Sequence, residues 1–150
     1  MRKITALSTA GHDLMKYTTK LEIKSVLLSG DYVPPSFVSD ISEVWKSEVF
    51  EHYGMTEMGL GCAMSCSAHK GYHVRENDIY IEIIDPDNGY HQPDGKWGEI
   101  VFTTLTRRGM PIIRYRTGDI GRWLTGKCPC GSRVKRLDKV KNRREEWKIQ

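Results

Sequence analysis

The sequence predicts an α/β chain: a partial parallel βαβ sheet followed by an antiparallel, β-rich and barrel-like region. Three observations carry this. Residues 25–53 read as strand, helix and strand in succession, the order that makes a parallel pair. Residues 54–76 are rich in Gly, Ser, Cys and His with no clear period, a long loop of the kind that tends to be functional. Residues 78–124 hold strand-like runs separated by turns, which suits an antiparallel sheet or small barrel.

The elements follow in order. Leu7, Ala10, Leu14, Tyr17 and Leu21 have helical spacing over residues 9–21. The apolar run Ser25–Ser29 stops at Gly30, as a buried strand does before a turn. Pro34-Pro35 opens a helix with Phe37, Val38, Ile41, Val44 and Trp45 on one face; proline suits the first helical position because its missing N–H had no partner there. Glu48–Tyr53 is the next strand. After the 54–76 loop, strands are expected at 78–84, 99–105, 111–115 and 119–124, with turns at Asp85–Gly89 and Pro93–Gly95. Residues 135–150 show no strong period.

Composition narrows the class. The 150 residues carry 23 Lys and Arg against 19 Asp and Glu, a formal net charge of +4. No stretch approaches the ~18 apolar residues of a spanning helix, and the N-terminus lacks a signal peptide's apolar core. A cytoplasmic location follows, in which the four cysteines serve as thiols or metal ligands rather than disulfides. The charge is concentrated: residues 127–150 hold nine basic and three acidic side chains, a net of +6 that leaves −2 for the rest. This tail lacks the aromatic interleaving of a single-strand platform and any helix-turn-helix pattern. It reads as a solvated or unpaired end rather than a nucleic-acid grip.

Two short motifs could carry chemistry. Tyr53-Gly54-Met55-Thr56-Glu57 ends a presumed parallel strand, where open α/β sheets bind ligands. Tyr53 could stack on a flat ring, Gly54 admits a close backbone approach, Thr56 could donate to a phosphate oxygen, and Glu57 could hold Mg²⁺. The same residues also suit a plain strand-end turn with a solvated glutamate. Tyr115-Arg116-Thr117-Gly118-Asp119 reads as a tight glycine turn between two strands. It presents a carboxylate suited to neighbouring ribose hydroxyls, or one that caps its own backbone.

Together and in order, Ser29-Gly30-Asp31, Tyr53–Glu57, Gly98–Leu105, Tyr115–Asp119 and Arg136–Lys141 resemble the core motifs of adenylate-forming enzymes. Met110–Asp119 and Cys128-Pro129-Cys130-Gly131 look most like the phenylacetate–CoA ligase branch. The resemblance covers about residues 25–143, and implies the second half of that family's large domain. It implies that Tyr53 packs on adenine with Gly30 and Asp31 on the ring's other face, and that Glu51 reads the adenine amino group. Thr56 would touch the α-phosphate, Glu57 would hold Mg²⁺, Asp119 would bind the ribose hydroxyls, and Arg136 would approach the ribose. Asp138 falls at the family's hinge. His52, on the opposite side of the strand from Tyr53, lies where related enzymes line the acyl pocket, though a satisfied structural histidine is the plainer reading.

The family's phosphate loop has no match in residues 1–28, and only twelve residues follow Asp138, too few for its C-terminal domain and catalytic lysine. Lys139, Lys141 and Lys148 are too close to the hinge for that role, and Lys135 and Asn142 stand where glycines are usual. The chain is therefore expected to be a fragment, inactive alone, needing the N- and C-terminal parts or another chain. Its parts would be residues 1–76 (α/β with the nucleotide motif), 77–134 (β-rich with the ribose turn) and 135–150 (basic hinge and linker start).

Cys62, Cys66, His69 and His73 lie in one loop and Cys128-Pro129-Cys130 in another. Two loops bringing soft ligands together make a structural zinc site, and the alternative is idle buried thiols. The resemblance favours Cys66, His73, Cys128 and Cys130 as the ligands, with Cys62 and His69 as spares. The expected function is the ATP/AMP-binding portion of an acid–CoA ligase, using ATP, Mg²⁺, coenzyme A and a carboxylic acid such as an aryl acetate, with no membrane. The rival is a zinc-stabilised binding module whose basic tail engages nucleic acid or a protein.

Overall fold

The computed structural model describes the backbone of residues 2–7 and residues 22–59 and 61–141 in full. The helical spacing over residues 9–21 lies outside the described residues, as do Asn142 and Lys148. Strand β1 (Arg2–Leu7), which sequence reading did not anticipate, runs parallel to β2 (Ile23–Leu28). Helix α1 (Pro35–Trp45) then crosses to β3 (Glu48–Tyr53), which is parallel to β2 with Leu28 opposite Glu51. The helix starts at the expected proline and ends at Lys46 in the left-handed region, φ 50°. Ile41 and Trp45 are buried and pack with Val38 against Ile23, Val26, Leu28 and Val49. Val44 instead faces solvent, 42% exposed, one turn off the buried face that Ile41 and Trp45 share.

Beyond β3 the sheet becomes antiparallel. The stretch expected as a loop, 54–76, holds a 3₁₀ turn (Thr56–Met58) and two short strands, β4 (Ala63–Ser65) and β5 (Tyr72–Val74). Three-residue strands are too short to display alternation in a polar sequence, so their periodicity was invisible. β9 (Arg136–Leu137) closes the six-stranded order β1-β2-β3-β4-β5-β9. Its residues are buried, so Arg136 and Leu137 pack on the body, while Lys127, Arg133, Lys135 and Lys141 of the same basic segment are exposed.

A second, three-stranded antiparallel sheet consists of β6 (Ile79–Ile84), β7 (Gly98–Thr104) and β8 (Tyr115–Gly121). The expected strands 111–115 and 119–124 are corrected here. Residues 111–114 fold back along β7, with Thr104 N–H donating to the Ile112 carbonyl at 2.8 Å. Tyr115–Asp119 is part of one continuous strand, not a turn between two. Gly118 at φ 75° creates a bulge, and the pairing shifts register between Glu99 and Val101. The two sheets share one core, in which Ile81, Ile83, Ile100, Phe102 and Trp123 meet Met58, Tyr72 and Leu137.

Candidate functional site

The carboxyl end of β3 opens into a cavity of about 600 Å³, lined among others by Gly30, Asp31, Glu51, Tyr53, Gly54, Thr56, Glu57 and Asp119. These come from the turn after β2, the end of β3 and the bulge of β8. Strand order puts the first two side by side. The bulge reaches them because Gly118 turns the β8 backbone and Asp119 N–H donates to Thr117 Oγ1 at 3.0 Å. Tyr53 Oη donates to Asp119 Oδ2 at 2.9 Å. Burial and that carboxylate hold the Tyr53 phenol protonated, well above its ordinary range. The pair forms a rigid edge with an aromatic face beside an acceptor.

Glu51 has both oxygens engaged: Tyr72 Oη donates to Oε2 at 2.7 Å, and Lys139 Nζ donates to Oε1 at 2.6 Å. Tyr72 and Lys139 also line the cavity, and sequence reading missed both. Tyr72 was hidden inside the apparent loop, and Lys139 was considered only as a failed candidate for a distant catalytic lysine. Arg136 sits apart. Its place opposite His73 in the β5–β9 register turns the guanidinium toward the carbonyls of Lys70 (2.8 Å) and Gly126 (3.2 Å), and it does not line the cavity. Asp138 accepts from Arg122 Nε at 2.8 Å.

His52 accepts or donates to Ser29 Oγ at 2.8 Å through Nδ1 and also touches the cavity. Gly61, at φ 111°, leaves room for the imidazole, since a Cβ there would fall 1.8 Å from Nε2. Burial, and secondarily the Arg75 charge, lower the His52 pKa below 6.5. The unfolded chain therefore binds the proton more readily than the folded one. This contribution to stability is present above pH ~6.5 and is lost as pH falls from there toward the folded value. An NMR titration of the His52 ring should give a midpoint below ~6.5, and one at or above it would contradict this environment.

The ligand atoms of Cys66, His73, Cys128 and Cys130 all lie within 4.8 Å of one another. Cys66 Sγ is 3.6 Å from Cys128 Sγ, and Cys130 Sγ is 3.4 Å from His73 Nε2. Zn–S bonds of ~2.3 Å in a tetrahedron place sulfurs ~3.8 Å apart, so the spacing fits zinc. His73 Nδ1 lies 3.3 Å from the Val134 carbonyl, the outer partner that turns Nε2 toward a metal. The Cys130 backbone N–H, the leading cause, draws the Cys128 thiol down to about 6. Cys62 and His69 stand outside this group: burial pushes Cys62 up to about 12, and His69 lies 3.6 Å from Glu48.

Comparison with known proteins gives one consistent picture. The AMP-binding enzyme family matches residues 2–106. Phenylacetate-coenzyme A ligase of Aromatoleum evansii is 44% identical over 99 residues, covering 65% of this chain and 22% of that protein; the Escherichia coli (strain K12) ligase is 39% identical over the same shares. The chain therefore spans about a fifth of the length of these curated relatives. Among solved structures, 2-hydroxyisobutyryl-CoA ligase in the postadenylation state with R3-HIB-AMP superposes with a TM-score of 0.84 at 25% identity, over 95% of this chain and 33% of that one. A benzoate CoA ligase from Burkholderia xenovorans LB400 shares the fold, with a TM-score of 0.66 at 16% identity over 95% of this chain and 31% of the other.

Proposed function

The chain belongs to the AMP-binding enzyme family, and from that premise we propose that it is the ATP/AMP-binding portion of an acid–CoA ligase. In the reaction of such an enzyme a carboxylate attacks the α-phosphate of ATP and pyrophosphate leaves; the coenzyme A thiol, losing its proton, then attacks the acyl carbonyl and AMP leaves. The observation that carries this reading is the Tyr53–Asp119 hydrogen bond at a cavity also lined by Gly30, Asp31, Thr56 and Glu57. An aromatic face for the base stands beside a carboxylate for the ribose. Thr56 would meet the α-phosphate. Glu57 would hold Mg²⁺, whose part is to neutralise phosphate charge.

The phenylacetate ligases among the relatives make an aryl acetate the proposed acid, and the proposed setting is the cytoplasm. Among the described residues no helix is long and apolar enough to cross a membrane. We keep the division at residues 76 and 134, with Asp138 as the hinge, as part of this proposal. Cys66, His73, Cys128 and Cys130 would hold a structural zinc, four protein ligands leaving no open position for catalysis. The rival reading rested on a free basic tail. The comparisons do not support it, since the family match is to AMP-binding enzymes and the relatives are ligases, and within the tail Arg136 is buried and Lys139 pairs with Glu51.

Calorimetric titration of the chain with AMP tests the proposal. Asp119→Asn, which keeps the shape and removes the charge, should weaken binding at least ~10-fold, the scale of one charge-assisted hydrogen bond. Tyr53→Ala should weaken it comparably through lost stacking, ~1–3 kcal/mol. A correctly folded wild-type chain that binds no AMP would overturn the reading.

A further inference from the structure

We propose that Lys139 and Tyr72 are positioning residues that fix the Glu51 carboxylate as the reader of the base's C6 substituent, which ties base choice to the segment following β9. This rests on the nucleotide reading of the cavity, in which the family resemblance already gives Glu51 the base's amino group; what is added is the pair of side chains that hold that carboxylate in place. A carboxylate has about four acceptor positions on two oxygens. Tyr72 occupies one on Oε2 and Lys139 one on Oε1, so the group is held from both ends while each oxygen keeps a free lone pair. The Glu51 side chain is only 17% exposed and lines the cavity beside Tyr53 and Gly30.

The opposing groups leave Lys139 little alternative. Its neighbour Asp138 is held by Arg122, and the Lys139 ammonium lies 5.6 Å from the Tyr32 ring, itself part of the cavity wall. A fixed acceptor favours a base that presents an amino donor at C6, as adenine does. It disfavours one that presents a carbonyl acceptor there, as hypoxanthine does, because two acceptors would face each other across a desolvated contact. If Glu51 were free to rotate, it could turn away from the carbonyl, and discrimination would fall. The same arrangement makes the reader depend on where the chain after Leu137 lies, because withdrawal of that segment takes Lys139 with it.

The test is parallel titration of the full chain with AMP and with IMP. The wild type should prefer AMP by ~10-fold or more, the scale of one hydrogen bond to a charged group. Lys139→Met, which keeps most of the stem, should lower that preference several-fold, Tyr72→Phe should do the same, and Lys139→Arg should largely restore it. A merely structural role would weaken both nucleotides equally and leave the ratio intact. An unchanged AMP-to-IMP ratio in both Lys139→Met and Tyr72→Phe, with AMP still bound, would overturn this inference alone. Absence of AMP binding to the wild type would overturn the nucleotide reading and this inference with it. Should Lys139→Met fail to fold, Tyr72→Phe decides the matter, since it removes one hydroxyl from a ring that stays packed.

Discussion

The purified chain will carry one zinc ion, and stripping it with a strong chelator will lower the melting temperature by ~10–20 °C. Structural zinc contributes ~10–16 kcal/mol of apparent free energy in peptides that have no fold without it. Here the hydrophobic cluster around Phe102 and Ile83 exists beside the metal cluster, so only part of that sum appears as stability. A loss of ~5 kcal/mol in a chain of this size corresponds to the stated shift. The effect is large because of what the four ligands join. Cys66 follows β4, His73 belongs to β5, and Cys128 and Cys130 sit on the turn between β8 and β9. The β5–β9 ladder itself has two residue pairs, Tyr72 with Leu137 and His73 with Arg136, so the ligands add a second tie between these strands and the 128–130 turn. Cys66→Ser should lose the ion and melt like the chelated protein. Cys62→Ala should keep it, because Cys62 lies in the hydrophobic core and outside the cluster. Metal analysis that finds no zinc in protein purified without chelator would dispose of the site.

How much of this was legible beforehand depends on the length of the pattern that encodes it. β3 ran over the expected residues and α1 began at its proline, because six to eleven residues of periodic burial leave a trace in sequence. β4, β5 and β9 left none: two or three residues cannot show a period, and their placement is decided by partners far along the chain. The side chains that gather at the cavity were readable because their chemistry is specific, an aromatic, a hydroxyl and carboxylates at motif spacing. That Cys66, His73, Cys128 and Cys130 come together was expected from the resemblance, which places thiols and an imidazole at those positions. The Glu51–Lys139 contact spans 88 positions and joins two of the commonest charged residue types, so nothing local marks it. Gly118 shows the opposite failure. A glycine there suggests a tight turn, but a bulge within one strand and a turn between two make the same local demand, and the φ of 75° serves the bulge.

That bulge is also where a single substitution should do harm. Arg116→Met is expected to cost ~1–2 kcal/mol of stability, between the values for an exposed and a buried ion pair, and to weaken AMP binding without touching the nucleotide. Glu99 is 2% exposed, and its carboxylate is the hub of the bulge. Arg116 Nε donates to Oε2 at 3.0 Å, and Gly118 N–H donates to Oε1 at 3.2 Å. The guanidinium also reaches the Pro86 carbonyl at 2.7 Å. Remove the guanidinium and the largely buried carboxylate loses its Arg116 donors while Gly118 N–H remains, which weakens the compensation of its charge. The intermediate value applies because Glu99 is buried but Arg116 is exposed, its side chain at 43%, so water can reach the vacated position. The carboxylate would then turn toward solvent and release Gly118 N–H, and Asp119, one residue on, would lose its alignment with Tyr53. Two measurements separate this from generic damage. Denaturant unfolding of Arg116→Met should show the loss, and adding Glu99→Gln should recover most of it, since the buried negative charge is gone while an amide oxygen still accepts from Gly118. If the double variant is as unstable as Arg116→Met alone, then packing of the arginine stem, rather than the buried carboxylate, holds this bulge in place.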